Sequence, residues 1–202
     1  MQLPRLWSTF ILVVLMSGLA GCQWDSDSRS ADDRADHPAS DATVAENDPV
    51  KLTVLDFAGI ERLIASKHGK VVVMDGWSTS CQPCMKEFHN LVQLHDDYGP
   101  DRVACISLSF DYEGIDPVEV VQEPVLKFLR SHRATFDNVL SSDDNEALYR
   151  KFDLASVPAV FVYDRRGKLR QRFDSTQSAG DSEGSTYQRV RRLVDELLAE
   201  PQ

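Results

Sequence analysis

Positive charge is scarce in this chain of 202 residues, which has 22 lysines and arginines against 32 aspartates and glutamates. The formal net charge of −10 argues against a nucleic acid or an anionic membrane surface as partner, because binding phosphates needs clustered Lys and Arg. The three arginines between positions 189 and 192 are flanked by acids on the same predicted helix, which favours a solvated face over a binding patch.

Cysteine is also scarce, and only two of the four cysteines lie close together, Cys81 and Cys84. Their Cys-x-x-Cys spacing occurs in zinc sites and in redox-active disulfides. A structural zinc site needs four ligands, usually from a second closely spaced pair, whereas Cys22 and Cys105 each stand alone. The motif therefore favours redox chemistry over zinc, and we predict no metal and no bound cofactor. Cys105 lies on an apolar predicted strand and is interpreted as an inert core thiol.

The N-terminus has the pattern of a secretory signal peptide over residues 1–21. Arg5 is followed by an apolar run at 10–16 and by small residues before Cys22. An uncleaved membrane anchor is the alternative.

Residues 19–22, Leu-Ala-Gly-Cys, also resemble the lipobox of bacterial lipoproteins. This resemblance implies that Cys22 carries a lipid anchor. Gln23 after it, in place of an aspartate, favours the outer membrane by analogy with such proteins.

An acidic segment follows, so that residues 22–50 are expected to form the lipidated cysteine and a disordered tether. Residues 23–49 contain eight acids, two arginines and almost no aliphatic side chains before Val44. Such a composition cannot bury a core, and a flexible coil of this length reaches roughly 30 Å. The remaining residues, 51–202, are predicted to form one domain.

Strand and helix patterns alternate along this domain. Strands are expected within 51–56, 71–76, 103–110, 136–140, 159–163 and 168–173, the last two as an antiparallel hairpin. Helices are expected from Phe57 to before Gly69, over 85–98, from Pro124 to about His132, after an N-terminal cap at Asp143, and over 190–198. The stretch between Asp111 and Glu123 is interpreted as a loop or a short turn of helix.

The Cys-x-x-Cys motif falls where the strand at 71–76 gives way to a helix. Unpaired N–H groups and the positive end of the helix dipole stabilise a thiolate there, so Cys81 is the predicted nucleophile. Cys84 lies one helical turn inward and should be shielded from solvent. Pro83 suits the first turn, where its missing N–H is not needed.

The element order and three segments, 75–84, 156–159 and the hairpin through Gly167, resemble the thioredoxin fold, and more closely the TlpA/ResA-type thiol-disulfide oxidoreductases of bacteria. The similarity covers roughly residues 51–200. It implies an α/β fold with a central mixed β-sheet flanked by helices and an inserted element between the second central strand and the following helix, matched to the stretch from Phe110 to His132. Members of this type usually have Phe or Ala where Gly76 and Ser78 stand, and an aromatic residue at Ser80, so Cys81 should be more open here.

The resemblance also implies roles for the residues of the motif. Cys81 attacks a substrate disulfide, and Cys84 then closes the Cys81–Cys84 disulfide and frees the reduced product. Asp75 matches the buried carboxylate of the family and is the candidate base for Cys84; a turn-capping aspartate is the alternative.

Further residues are expected to shape the surface that binds a protein substrate. Pro158 is implied to be cis, which brings the backbone of Val157 beside the sulfurs to pair with the substrate as an added strand; a trans proline at a strand start is the alternative. Gln82 and Pro83 lie within the motif, and Trp77 is expected to pack beside it either as a docking residue or as plain core.

These roles predict a membrane-anchored thiol-disulfide oxidoreductase on the extracytoplasmic, periplasmic side. Proline before the second cysteine resembles reducing thioredoxins, which favours a reductase for specific envelope proteins, and a transmembrane electron donor is the implied second partner.

Peroxide reduction is an alternative, but it would require a threonine- and arginine-bearing pocket. The other alternative is a binding module that holds Cu(I) through its thiolates. Copper chaperones of this fold carry a distal histidine, and no histidine lies between Arg133 and Gln202.

Overall fold

The computed structural model describes residues 49–174 and 184–201. Within them lie the strands β1 (Thr53–Leu55), β2 (Val71–Trp77), β3 (Val103–Ser109), β4 (Asp137–Ser141), β5 (Ala159–Tyr163) and β6 (Leu169–Asp174), and the helices α1 (Phe57–Ser66), α2 (Gln82–Glu87), α3 (His89–Tyr98), α4 (Val118–Ser131), α5 (Asn145–Lys151) and α6 (Thr186–Ala199). None of these helices has the length and apolar character of a membrane span.

The predicted signal peptide, the lipidation site at Cys22 and nearly all of the predicted tether lie outside the described residues. Val50, the last residue assigned to the tether, is buried and packs in the hydrophobic core. The packed domain therefore includes Val50.

The strands form one mixed sheet in the order β1-β4-β3-β2-β5-β6. The first four of these are parallel to one another, whereas β5 runs antiparallel to both β2 and β6. The predicted central mixed sheet and the C-terminal antiparallel hairpin are thus confirmed. Strand β2 lies inside the sheet between β3 and β5 and is buried along its whole length, so the motif after it begins at the end of a fully enclosed strand.

Alternation along β2 distributes its side chains between two hydrophobic clusters. Val71, Val73 and Trp77 pack with apolar residues of α2, α3, α4 and α6 on one face of the sheet. Val72 and Met74 pack with residues of α1 and α5 on the other face. Because side chains alternate along a strand, Asp75 shares the face of Val73 and Trp77, which is also the face of Cys84.

The single helix predicted over 85–98 is two helices in the structure, α2 and α3, which meet at Phe88. The side chains of His89 and Asn90 bind the backbone carbonyls of Lys86 and Glu87, at 2.7 and 2.9 Å. Polar side chains that bind nearby carbonyls compete with helical hydrogen bonds, which accounts for the interruption.

Helix α4 begins at Val118, six residues before the predicted start, and contains Pro124 in its interior. The expected inserted element is therefore a loop at 110–117 followed by this longer helix. Val118 and Val121 continue the apolar stripe of Val125, so the first turns are held by packing. Pro124 lies on the exposed side of the helix, where water can bind the carbonyl that its missing N–H leaves unpaired.

The cap of α5 also differs from the expectation by one residue. Asp144, not Asp143, is the N-cap, and its Oδ1 accepts a hydrogen bond from the Ala147 nitrogen at 2.8 Å. Asp143 instead binds the backbone nitrogen of Phe57 and the Nζ of Lys151, both at 2.8 Å. Two adjacent aspartates offer the same cap in sequence, and only the long-range contact of Asp143 to α1 distinguishes them.

Candidate active site

Cys81 and Cys84 stand where β2 leads into α2 and are joined by a disulfide bond. Cys81 is the N-cap of α2 and is partly exposed, whereas Cys84 is only 3% exposed. The backbone nitrogen of Cys84 lies 3.2 Å from the Sγ of Cys81 and donates a hydrogen bond to it. The same N–H would stabilise a thiolate on Cys81 after reduction, because hydrogen bonds to the charged form favour that form.

A cavity of about 180 Å³ lies beside Cys84. It is lined by residues from five elements and the segments next to them, namely Asp75, Cys84, Glu87, Pro158, Val160, Phe173, Asp174, Thr186 and Tyr187. A wider cleft of about 800 Å³ at the far end of β2 contains no cysteine and no residue of the motif. The small cavity, and not the wide cleft, is therefore where chemistry at Cys84 would take place.

Asp75 is the most perturbed acid near the disulfide. Its side chain is 4% exposed, and burial raises its pKa from 3.8 to about 7. The hydroxyl of Tyr187 donates a hydrogen bond to Oδ2 of Asp75 at 2.6 Å, which opposes that rise, and the charge of Glu87 adds to it. A carboxyl group with a pKa near neutrality exists in both protonation states at pH 7 and can accept and return a proton.

The Val157–Pro158 peptide bond is cis. Both residues are half-buried, directly before β5, and Pro158 lines the cavity that Cys84 and Asp75 share. The structure thus brings the two cysteines, the carboxylate and the proline segment into one place.

The remaining predicted docking residues divide into exposed and buried positions. Gln82 and Pro83 are exposed on the first turn of α2. Trp77 is 1% exposed and packs against the rings of Phe88 and Phe128, with centroids 5.1 and 4.6 Å away. In this structure Trp77 lies behind the exposed surface and supports it from the core.

Tyr187 is a site residue that the sequence did not single out. It lies 112 positions from Asp75, on the first turn of α6. Within the sequence it shows only as an apolar position ahead of the stripe at 190–198, and no local pattern marks its hydroxyl as a partner for a carboxylate.

Cys105 is free and buried on β3, and burial raises the pKa of its thiol far above the usual range, in line with an inert core thiol. Among the described residues, no three His, Cys, Asp or Glu side chains converge as ligands for a metal ion.

Comparison with known proteins gives a family model and several relatives. The model of the AhpC/TSA family matches residues 45–172. The thiol-disulfide oxidoreductase ResA of Geobacillus kaustophilus is 25% identical over 131 residues, which cover 63% of this chain and 68% of that protein. The thioredoxin-like protein YneN of Bacillus subtilis is 22% identical over 113 residues, which cover 56% of this chain and 61% of that protein.

Solved structures agree with the architecture. A thiol-disulfide isomerase from Corynebacterium glutamicum superposes with a TM-score of 0.53 at 20% identity, covering 67% of this chain and 84% of the other. A putative thiol:disulfide interchange protein DsbE from Chlorobium tepidum gives a TM-score of 0.53 at 20% identity, covering 67% and 85%. At these identities the likeness establishes the thioredoxin-like fold.

Proposed function

Because the chain belongs to the AhpC/TSA family and is a thioredoxin-like thiol-disulfide oxidoreductase of the TlpA/ResA type, we propose that it reduces disulfide bonds in a restricted set of proteins outside the cytoplasm. The observation that carries the proposal is the placement of Cys84, buried beside Asp75 and bonded to a more exposed Cys81. Such an asymmetric pair has one sulfur for a substrate and one for internal closure.

The proposed reaction begins with the dithiol form of the protein. The Cys81 thiolate attacks one sulfur of a substrate disulfide, which forms a mixed disulfide and releases the other substrate sulfur as a thiolate. Cys84 then gives its proton to the Asp75 carboxylate and attacks the Cys81 sulfur. This step forms the Cys81–Cys84 disulfide and releases the second substrate thiolate. The two released thiolates are protonated, one proton coming through Asp75, so two electrons pass from the protein to the substrate.

The direction towards reduction is supported by the residues between the cysteines. Pro83 stands before Cys84, on the exposed first turn of α2, as in reducing thioredoxins. A reductase outside the cytoplasm ends each turnover oxidised, so it needs a reducing partner. We propose a membrane-embedded electron donor for this role, with protein disulfides as substrates.

The proposed location rests on the N-terminal sequence. Residues 1–21 would direct export, Cys22 would carry the lipid anchor, and the acidic segment that follows would let the domain reach roughly 30 Å from the membrane. The protein would therefore work in the cell envelope, with the outer membrane favoured by Gln23. Labelling cells with a radioactive fatty acid tests the lipid anchor at Cys22. Wild type should incorporate the label and Cys22→Ser should not.

The decisive experiment is the reduction potential of the Cys81/Cys84 couple, measured by equilibration of residues 49–202 with glutathione or dithiothreitol. A potential near or below about −250 mV supports a reductase. A potential between about −120 and −180 mV would make the protein an oxidant or isomerase. Failure to form the Cys81–Cys84 disulfide reversibly would contradict the function as a whole.

A trapping experiment identifies the substrates. In Cys84→Ser the second step cannot occur, so mixed disulfides through Cys81 should accumulate in the cell envelope and disappear on reduction. Cys81→Ser is the matched control. It also retains one thiol in the motif, but that thiol is the buried Cys84 and not the more exposed Cys81. If both variants trap the same proteins, the assignment of Cys81 as the nucleophile is wrong.

A further inference from the structure

Tyr187 brings a buried hydroxyl to the carboxylate of the site, and this contact is used by no step of the reaction above. Its side chain is 4% exposed, and its oxygen lies 2.6 Å from Oδ2 of Asp75. This hydrogen bond is made to Oδ2 and not to the other oxygen, Oδ1. Both side chains line the cavity that contains Cys84.

We propose that Tyr187 is a positioning residue for proton transfer at Cys84: its hydroxyl occupies Oδ2 of Asp75 and leaves Oδ1 as the oxygen that takes the proton. The proposal rests on the function given above, since it assigns the proton acceptor of the second step. The Tyr187 hydroxyl keeps its own proton throughout, because burial and the neighbouring Asp75 charge raise the pKa of this phenol well above its usual value.

The position of Tyr187 is fixed by the start of α6. Ser185 and Gln188 form a capping box around it, in which the Gln188 nitrogen donates to the Ser185 hydroxyl and the Ser185 nitrogen donates to the Gln188 Oε1. Val190, Val194 and Leu197 anchor the same helix face in the core. The hydroxyl is thus held by both a cap and a packed helix, as a positioning role requires.

The hydrogen bond from Tyr187 also gives Asp75 a lower pKa than burial alone would produce. A hydrogen bond donated to a carboxylate stabilises its charged form, so Tyr187 opposes the effect of burial. The other groups that face Asp75 are acids or thiols: Cys84 and Glu87 from α2, Asp174 from the end of β6, and Cys105 from β3. Glu87 raises the pKa, and Asp174 is paired with Arg172 at 2.6 Å. Among these described neighbours, Tyr187 is the one that lowers the pKa.

The test is the titration of Asp75 and the rate of disulfide closure in Tyr187→Phe, both made on the full chain with Cys22→Ser and Cys105→Ser. The Asp75 titration is followed by carboxyl-carbon NMR of the oxidised protein and assigned with Asp75→Asn. Closure is followed after an aromatic disulfide has loaded Cys81, as release of the coloured aromatic thiolate. We expect the pKa of Asp75 to rise by about one unit, because the lost hydrogen bond stabilised the charged form of the carboxyl.

The pH profile separates a proton-transfer role from general damage. At pH 7 a one-unit rise leaves about one-fifth as much carboxylate, so closure should be about fivefold slower in Tyr187→Phe. Above about pH 9 both proteins have an ionised Asp75, and the two rates should converge. A Tyr187→Phe profile that is lower by the same factor at every pH would overturn the proposal.

Tyr98→Phe is the matched control, because Tyr98 also donates to an aspartate and also contacts α6. Its hydroxyl lies 2.8 Å from Oδ1 of Asp195. This variant should leave the titration of Asp75 unchanged; an equal shift would mean that loosening of α6 is the cause and would overturn the proposal. Replacing Tyr187 by 3-fluorotyrosine, a stronger donor, should move the pKa of Asp75 downwards instead.

The two hypotheses fail in different ways. If wild type cannot reduce disulfides, the proposed function fails, while the NMR titration still reports whether Tyr187 controls Asp75. If wild type is active and the pKa of Asp75 is the same in wild type and Tyr187→Phe, the inference about Tyr187 fails and the oxidoreductase function stands.

Discussion

Thr79 donates two hydrogen bonds to one oxygen of Asp111, from its backbone nitrogen at 2.8 Å and from its hydroxyl at 2.5 Å. The second oxygen of Asp111 accepts from the hydroxyl of Ser109 at 2.6 Å. Asp111 therefore ties the loop that carries Cys81 to the end of β3. Rigid support behind a reactive side chain keeps that side chain in its productive geometry.

Replacing Asp111 by alanine should loosen this loop. Asp111→Ala removes the acceptor for Thr79 and the acceptor for the buried Ser109 hydroxyl, although the backbone nitrogen of residue 111 still donates to the Ser109 oxygen. Because hydrogen bonds to a charged group contribute about 1.5–3 kcal/mol each and these are partly exposed, we expect the free energy of unfolding to fall by about 2–3 kcal/mol in total. Urea denaturation of the oxidised protein measures this change.

Two comparisons bound that result. Asp111→Asn retains an oxygen for Thr79 and should lose less than half as much stability. Asp116→Ala removes the same charge from an exposed position in the loop 110–117, which also contains Asp111, and should change stability by less than about 0.5 kcal/mol. Equal losses in Asp111→Ala and Asp116→Ala would show that the charge of the loop, and not the contact to Thr79, is responsible.

Asp75 should make the oxidised protein less stable as the pH rises. Its pKa is about 7 in the folded protein and 3.8 in the unfolded chain, so folding favours the protonated form. The corresponding stability is fully present below about pH 3.8 and is lost as the pH rises through 7. The difference corresponds to about 4 kcal/mol. Asp75→Asn should remove this dependence and be more stable than wild type at pH 8, by about 2–4 kcal/mol, in denaturant titrations at several pH values.

Asp143 provides a control of opposite sign. Hydrogen bonds from Lys151 and the Phe57 nitrogen lower the pKa of Asp143, so its contribution is present above the unfolded pKa and is lost as the pH falls. Asp143→Asn should therefore destabilise the protein at pH 7 and approach wild type in acid. If Asp75→Asn, like Asp143→Asn, destabilised the protein at pH 7 and approached wild type in acid, burial would not be raising the pKa of Asp75.

The elements around the cysteines could be predicted because their signals are local. An apolar run of β-branched residues, a Cys-x-x-Cys spacing and a tight turn before Gly167 each lie within a few consecutive positions, and β2, the start of α2 and the hairpin follow from them. The break at Phe88 could not be predicted, because the competing hydrogen bonds come from His89 and Asn90. These are ordinary polar residues that occur equally on unbroken helices.

Contacts between distant segments account for most of what the sequence could not predict. The pairing of Tyr187 with Asp75 depends on how α6 returns across the sheet, and one sequence contains no trace of that geometry. The choice between Asp143 and Asp144 as a cap depends on the contact of Asp143 with α1. Helix α4 extends past Pro124 because its earlier turns pack on the core, which outweighs the local preference of proline for a helix start.

Gly76 stands where the resemblance predicts a residue with a side chain, and its surroundings show what a side chain there would meet. A β-carbon added at Gly76 would lie 3.1 Å from the Phe110 ring and 3.4 Å from the Ala159 oxygen. Phe110 is 2% exposed and stacks on Tyr149 with ring centroids 4.9 Å apart. The Phe110 ring thus occupies the space that a side chain at position 76 would need.

Gly76→Ala should therefore destabilise the protein by about 1–2 kcal/mol, because the packed Phe110 ring has little freedom to move away. Glycine replacement by itself acts in the opposite direction, stabilising by about 0.4–1 kcal/mol through the unfolded chain. The sign measured in urea denaturation decides between the two effects. In a Phe110→Leu background the smaller side chain gives way, so Gly76→Ala should cost less there than in wild type, a coupling that a double-mutant cycle measures. A stabilised Gly76→Ala, with no coupling to position 110, would mean that Phe110 does not confine this part of β2.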